Sequence, residues 1–298
     1  MRVFVTGVAG QLGYDVMKEL ARRGHTGTGS DLAATSEFED YRPLDITDGA
    51  AVERVLSDVR PDAVVHCAAW TAVDDAEEED KRELVAKINV DGTQNVANAC
   101  KRLGCKMLYV STDYVFDGQG TTPWTPDCKS YQPLNFYGVT KLGGERCVAQ
   151  TLERYFIVRI AWVFGQNGKN FIRTMLSLAD RGYREIKVVD DQIGTPTYTY
   201  DLARLLVDMI ETDKYGYYHA TNEGGYLSWA DFAEEIFRQA KREVRVTRVT
   251  TKEYGLSKAK RPFNSRLDRS KLAKEGFKPL PDWRDALRRY LQSIGEET

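Results

Sequence analysis

The chain has 298 residues, 42% of them hydrophobic, with 42 Lys and Arg against 44 Asp and Glu for a net charge of −2. That length suits one large domain or two unequal ones, and the apolar share can build a sizeable core. The near balance of charge gives no reason to expect nucleic acid or an anionic membrane as partner, and no apolar run approaches the roughly 20 residues that span a bilayer.

Residues 1–6 read as a strand and 11–23 as a helix, with Leu12, Val16 and Leu20 at helical spacing and Gly24 closing it. A weak strand follows at 25–30, a helix at 48–59 and a buried strand at 63–66. The spacing predicts one long helix over 77–103, ended by Gly104, then a strand at 106–111, a helix at 134–151 and a strand at 156–161. Strand–helix alternation of this kind predicts an α/β fold, a doubly wound parallel sheet of Rossmann type. After Phe164 the pattern loosens: helices at 170–181, 201–211 and 228–241, short strands at 186–189 and 244–249, and a last helix at 283–291. Ser228 with Asp231 three residues on resembles a capping box. Residues 1–165 are therefore expected to bind a dinucleotide and 166–298 to form a smaller substrate lobe, with segments around 190–220 free to return to the main sheet.

Five cysteines without CxxC spacing argue against a disulfide framework and for reduced thiols in the cytoplasm. The apolar run at 3–5 is too short for a signal-peptide core. Three scattered histidines, His25, His66 and His219, compose no metal motif.

Gly7, Gly10 and Gly13 follow the first strand and open the first helix, with Gln11 and Leu12 between them. The spacing is GxxGxxG, yet it offers the same tight turn, room for a pyrophosphate and close helix packing as the dinucleotide fingerprint. The helix N-terminus presents N–H groups and a positive dipole end to phosphates. Asp31, at the end of the second strand, can accept from an adenosine ribose and repel a 2′-phosphate; no Lys or Arg follows before Arg42, so NADH is the preferred cofactor and NADPH the alternative. Asp45 and Ile46 precede the next helix, where Asp45 either meets the adenine amino group or bonds the helix start. Ala68 and Ala69 are small residues at a strand end, suited to a cofactor lying close or to tight packing.

Tyr137 and Lys141, four residues apart, share one helix face. An ammonium beside a phenol is expected to lower its pKa and to let it exchange a proton with a substrate oxygen.

These residues, with STDYVFDG at 111–118, YGVTK at 137–141, VDDQIGTPT at 189–197 and RPFNSRLD at 261–268, resemble the extended short-chain dehydrogenase/reductases, and more narrowly the dTDP-4-dehydrorhamnose reductase family. The resemblance runs over nearly the whole chain. It implies a catalytic group of Thr112, Tyr137 and Lys141, with Ser111 as the alternative hydroxyl. It implies reduction of the C4 ketone of dTDP-4-dehydro-L-rhamnose by a nicotinamide cofactor. Asp113, Tyr114 and Trp162 match substrate contacts, although Trp162 also suits core packing. Thr71 and Asp74 fall beside the nicotinamide, and Arg261 reaches either the diphosphate or a surface salt bridge. Trp70 departs from the family, where Tyr or His is more usual. Some members are magnesium-dependent dimers; a homodimer is carried over, but no set of carboxylates maps to a metal site. A nucleotide-sugar epimerase or dehydratase, or a non-catalytic regulatory subunit of the same fold, are the competing readings.

Overall fold

The structure, a computed structural model, describes residues 1–297. Seven parallel strands form the main sheet. Six follow in chain order: β1 Arg2–Thr6, β2 Thr26–Asp31, β3 Tyr41–Pro43, β4 Ala63–His66, β5 Lys106–Thr112 and β6 Tyr155–Ile160. The seventh, Gly216–His219, pairs with β6 at one edge. β4, Ala-Val-Val-His, is buried at every position, as expected of a strand covered on both faces.

From β1 the chain runs outward through β2 to β3, then returns to place β4 on the other side of β1. This reversal opens a crevice at the carboxyl ends of β1 and β4, where ligands of such sheets bind. Helix α1, Gln11–Arg22, packs the predicted Leu12, Val16 and Leu20 stripe into the core. Helix α2, Gly49–Val59, is capped by Asp48, which accepts from Ala51 N–H. Helix α5, Phe136–Thr151, is capped by Asn135, whose Oδ1 accepts from Gly138 N–H at 2.8 Å.

The single long helix expected over 77–103 is broken. A short turn at Asp75–Glu77 precedes α3, Arg82–Ala86; a wide π-helical turn, Lys87–Gly92, then leads into α4, Thr93–Leu103. The wide turn carries Asn89, which accepts from Trp70 N–H at 2.8 Å and donates to Trp70 O and Thr140 Oγ1. A bond network outside the helix thus sets its local winding, which apolar spacing does not reveal.

A second apolar core lies among α6 Phe171–Asp180, α8 Trp229–Gln239 and the last helix, Trp283–Ser293. The Ser228–Asp231 capping box forms in full. Arg245–Val249 pairs in parallel with Glu185–Val189 in a separate small sheet. Helix α7, Thr199–Ile210, packs against α1 in the first core, and with Gly216–His219 it returns the chain to the main sheet.

Candidate active site

A cavity of about 870 Å³ runs along the carboxyl ends of β1, β4, β5 and β6. Every site residue singled out from the sequence lines it, except Asp74 and Arg261.

Backbone crowding explains the glycines of the first turn. Gly7 has φ +74°, and a Cβ there would lie 2.7 Å from Ala68 N. A Cβ on Gly13 would collide with the Gly7 carbonyl oxygen. Gly10 caps α1 and offers no side-chain bond, so the first N–H groups of α1 remain for a ligand. This bare, amide-lined cradle fits a dinucleotide pyrophosphate.

At one end stands Asp31, whose Oδ2 accepts from Ala9 N–H at 2.9 Å and Oδ1 from Leu32 N–H at 2.8 Å. Its carboxylate therefore pins the glycine turn to β2. The unpredicted strand β3 pairs Arg42 with Ser30, one residue before Asp31. Asp45 bonds Thr47 N–H at 2.9 Å in the turn before α2 while lining the cavity with Ile46. Ala68 and Ala69 follow β4, and Ala68 N–H donates to Thr6 Oγ1 at 3.1 Å.

Beneath them lies a buried polar chain. His66 Nδ1 is 2.7 Å from Thr6 Oγ1, its Nε2 is 3.2 Å from Thr93 Oγ1, and Thr93 donates to Asn89 O. These partners suit a neutral ring with Nε2 protonated, a tautomer inferred from the bonding pattern. Burial and the nearby Lys141 push the His66 pKa down to about 3.

At the other end, β5 delivers Thr112 and α5 delivers Tyr137 and Lys141. Tyr137 neighbours Thr112 and meets Tyr114 edge-on at 5.7 Å between ring centres. Lys141 Nζ donates to Val110 O at 2.8 Å and lies 4.1 Å from the centre of the Tyr109 ring. Burial lowers its pKa to about 7 against the opposing pull of Glu145. The expected lowering at Tyr137 does not occur in this arrangement: burial, then the Asp113 charge, raise its pKa above the ordinary phenol value. The Lys141 ammonium is directed at a main-chain carbonyl and does not offset them. Ser111, the alternative hydroxyl, donates to Glu145 Oε1 at 2.6 Å, and Glu145 is held in turn by the buried Arg159. Thr112 is thus the better placed of the two.

On the far wall, Trp162 stacks on Trp229 with ring centres 3.7 Å apart and planes 15° off parallel. Trp162 has φ +51°, a strained conformation for a bulky side chain. Trp229 lines the cavity too and was missed from the sequence; it is the first residue of α8, and only the Ser228 cap before it marked the place. Thr71 lies on the loop after β4. Asp74 and Arg261 sit behind the wall, paired at 2.7 Å, with Arg261 also donating to Tyr114 OH at 3.2 Å. Arg261 thus makes a partly buried ion pair with Asp74.

The family described as RmlD substrate binding domain matches residues 1–295. A dTDP-4-dehydrorhamnose reductase of Streptomyces griseus is 42% identical, over 96% of this chain and 91% of that protein. The spore coat polysaccharide biosynthesis protein SpsK of Bacillus subtilis is 38% identical, over 98% of this chain and 97% of its own. The crystal structure of dTDP-4-dehydrorhamnose reductase from Bacillus anthracis in complex with NADP superposes with a TM-score of 0.90 at 39% identity, covering 98% of this chain and 99% of that one. With a match from end to end on both sequence and fold, the chain belongs to the dTDP-4-dehydrorhamnose reductase family of extended short-chain dehydrogenase/reductases.

Proposed function

We propose that this protein reduces the C4 ketone of dTDP-4-dehydro-L-rhamnose to give dTDP-L-rhamnose. The observation that carries the reading is the meeting of Thr112, Tyr137 and Lys141 at one end of a cavity whose other end is the bare glycine cradle. The nicotinamide cofactor supplies a hydride to the carbonyl carbon. Gly7, Gly10 and the start of α1, with Gln11, Leu12 and Gly13, would hold its pyrophosphate; Asp31, Asp45 and Ile46 its adenosine end; Ala68, Ala69 and Lys141 its nicotinamide end.

Tyr137 passes its proton to the ketone oxygen as negative charge develops there. Thr112 hydrogen-bonds the same oxygen and stabilises that charge. A phenol whose pKa is raised by burial holds its proton firmly until an alkoxide, a far stronger base, forms within reach. Lys141, its ammonium held on Val110 O, would hold the nicotinamide end of the cofactor beside that phenol. Trp162 offers the sugar an aromatic face, Thr71, Asp113 and Tyr114 offer it polar groups, and Arg261 with Asp74 braces Tyr114 from behind.

Asp31 supports a preference for NADH, because a carboxylate there binds the ribose diol and repels a 2′-phosphate. Arg42 on β3 is the group that would make NADPH usable. The five free thiols support a reducing, cytoplasmic setting. Among the described residues no helix is long and apolar enough to cross a membrane. The homodimer remains a proposal carried from the family, testable by sedimentation. We further propose that residues 1–165, joined by α7 and Gly216–His219, form the cofactor-binding part and that most of 166–298 binds substrate.

The direct test follows oxidation of NADH and NADPH with dTDP-4-dehydro-L-rhamnose. Wild type is expected to turn over, and Tyr137→Phe to lose about 10²–10⁴ in kcat, the span of general-acid catalysis, with cofactor binding retained. Absence of turnover in wild type with either cofactor would sink the reductase reading. Turnover of a nucleotide sugar without net cofactor oxidation would favour an epimerase or dehydratase, and cofactor binding without any turnover a regulatory subunit.

A further inference from the structure

At the reacting end of the cavity the Thr112 hydroxyl has more partners than protons. It accepts from Tyr114 N–H at 3.2 Å, donates to Asp113 Oδ1 at 3.1 Å, and faces the neighbouring Tyr137 phenol. A hydroxyl has one proton to give and two lone pairs to receive. An ionised Asp113 can only accept, so it takes the Thr112 proton. The free Thr112 lone pair is then open to the neighbouring Tyr137 O–H, which draws both protons away from a substrate. A protonated Asp113 reverses this bookkeeping. Its O–H and Tyr114 N–H fill both Thr112 lone pairs, and the Thr112 and Tyr137 protons both turn toward the cavity.

The surroundings of Asp113 favour the protonated form. The residue is buried, and its Oδ2 has no hydrogen-bond partner; a buried charged oxygen without a partner is costly. The groups facing it are Thr112 and Tyr114 on its own turn, Tyr137 on α5 and Ser265 from the segment after Arg261. The charged groups on these elements are engaged elsewhere: Lys141 with Val110 O, and Arg261 with Asp74 and Tyr114 OH. Burial accordingly pushes the Asp113 pKa up to about 6, against the opposing influence of the nearby Ser265 hydroxyl and the hydrogen bond from Thr112.

We propose that Asp113 is a positioning residue for the reduction: protonated, it occupies a Thr112 lone pair and frees the Thr112 and Tyr137 hydroxyl protons for the ketone oxygen. The inference rests on the ketone-reductase reading. It assigns Asp113 a task beyond contacting substrate, and it makes the protonation state of one carboxyl a control on the proton donor.

The experiment is the pH profile of kcat with saturating cofactor and dTDP-4-dehydro-L-rhamnose for wild type, Asp113→Asn and Thr112→Val. Wild type is expected to lose up to tenfold in kcat per pH unit above the Asp113 ionisation. Asp113→Asn donates at every pH and is expected to lack that limb. Thr112→Val keeps the carboxyl but has no hydroxyl to direct, so its residual turnover is expected to lack the limb as well, which preserves the test if the Asn variant folds poorly. A limb belonging to Lys141, whose pKa is lowered to about 7, would persist in both variants. As a readout without turnover, the carboxyl carbon signal lost in Asp113→Asn is expected to titrate near pH 6 in the wild-type protein. Identical pH profiles in wild type and both variants, or an Asp113 carboxyl that titrates at the ordinary value near 3.8, would overturn the proposal while leaving the reductase reading standing. A wild type without turnover would strike at that reading instead.

Discussion

Asp31 reaches the cavity with both carboxylate oxygens already bonded, one to Ala9 N–H and one to Leu32 N–H. Each oxygen keeps a further lone pair, enough to receive the two hydroxyls of a ribose. Removing it acts on both cofactors by loosening the glycine turn, but only NADPH escapes a carboxylate that repels its 2′-phosphate. A hydrogen bond to a charged group contributes about 1.5–3 kcal/mol. Asp31→Ala is therefore expected to lower kcat/KM for NADH by about tenfold to a hundredfold and to shift the NADPH/NADH ratio in favour of NADPH. An unchanged ratio in steady-state assays would show that Asp31 serves the turn alone. Single residues were legible in the sequence when a motif named them, as at Asp31, Tyr137 and Lys141. Their electrostatics were not: helix spacing set Lys141 beside Tyr137, but only the fold shows its ammonium spent on Val110 O. Nor could spacing reveal that Thr112 and Asp113 compete for one proton.

At the scale of elements, the β1–turn–α1 unit was readable because apolar period and glycine placement agree. The turn closes so tightly that a Cβ on Gly13 would overlap the Gly7 carbonyl, whereas one on Gly10 would lie 3.3 Å from the same oxygen. Backbone cannot step aside as a side chain can, so Gly13→Ala must open the turn or displace α1. Overpacking of this kind costs about 1–3 kcal/mol, which in a chain of this size lowers the melting temperature by about 2–5 °C. Gly10→Ala is expected to melt close to wild type. Calorimetry on the two variants separates the cases, and equal melting temperatures would refute the close-approach account. Elements held by a neighbour were not readable. β3 is three residues with Pro43 at its end, tolerable on a sheet edge but without alternation. Gly216–His219 carries two tyrosines and no apolar run, and becomes a strand because β6 offers it an edge. The wide turn at Lys87–Gly92 exists where Asn89 reaches across to Trp70, a tertiary demand on local winding.

Across the whole molecule, the main sheet buries two histidines that must stay neutral. His66 ends β4 with its pKa pushed down to about 3, and His219 ends the edge strand with its pKa also far below the usual value, because of burial and the neighbouring Arg159. Below pH 6.5 the unfolded chain binds protons at both sites and the fold refuses them, so stability is lost as pH falls. Each refused proton is worth up to about 1.4 kcal/mol per pH unit. Asp113 works in the opposite sense: its folded pKa of about 6 exceeds the ordinary 3.8, so the fold gains stability as pH falls through that interval. Carboxylates held low by arginines, such as Glu19, join the losses only nearer their ordinary value of 4.5. Between pH 6.5 and pH 5 two histidines oppose Asp113 and the buried Asp15, whose pKa is also raised by burial, and the net loss comes to roughly 1–3 kcal/mol. A melting temperature several degrees lower at pH 5 than at pH 7.5 is the expected result. His66→Gln, which keeps polar atoms for Thr6 and Thr93 but takes up no proton, is expected to remove about half of the histidine-driven slope, whatever its effect on stability at neutral pH. Were the melting temperature flat across this range, or the slope untouched in His66→Gln, the buried polar chain beneath the cofactor cradle would have to admit a charged imidazole. Its bonding to Thr6 and Thr93 would then need a different assignment of protons.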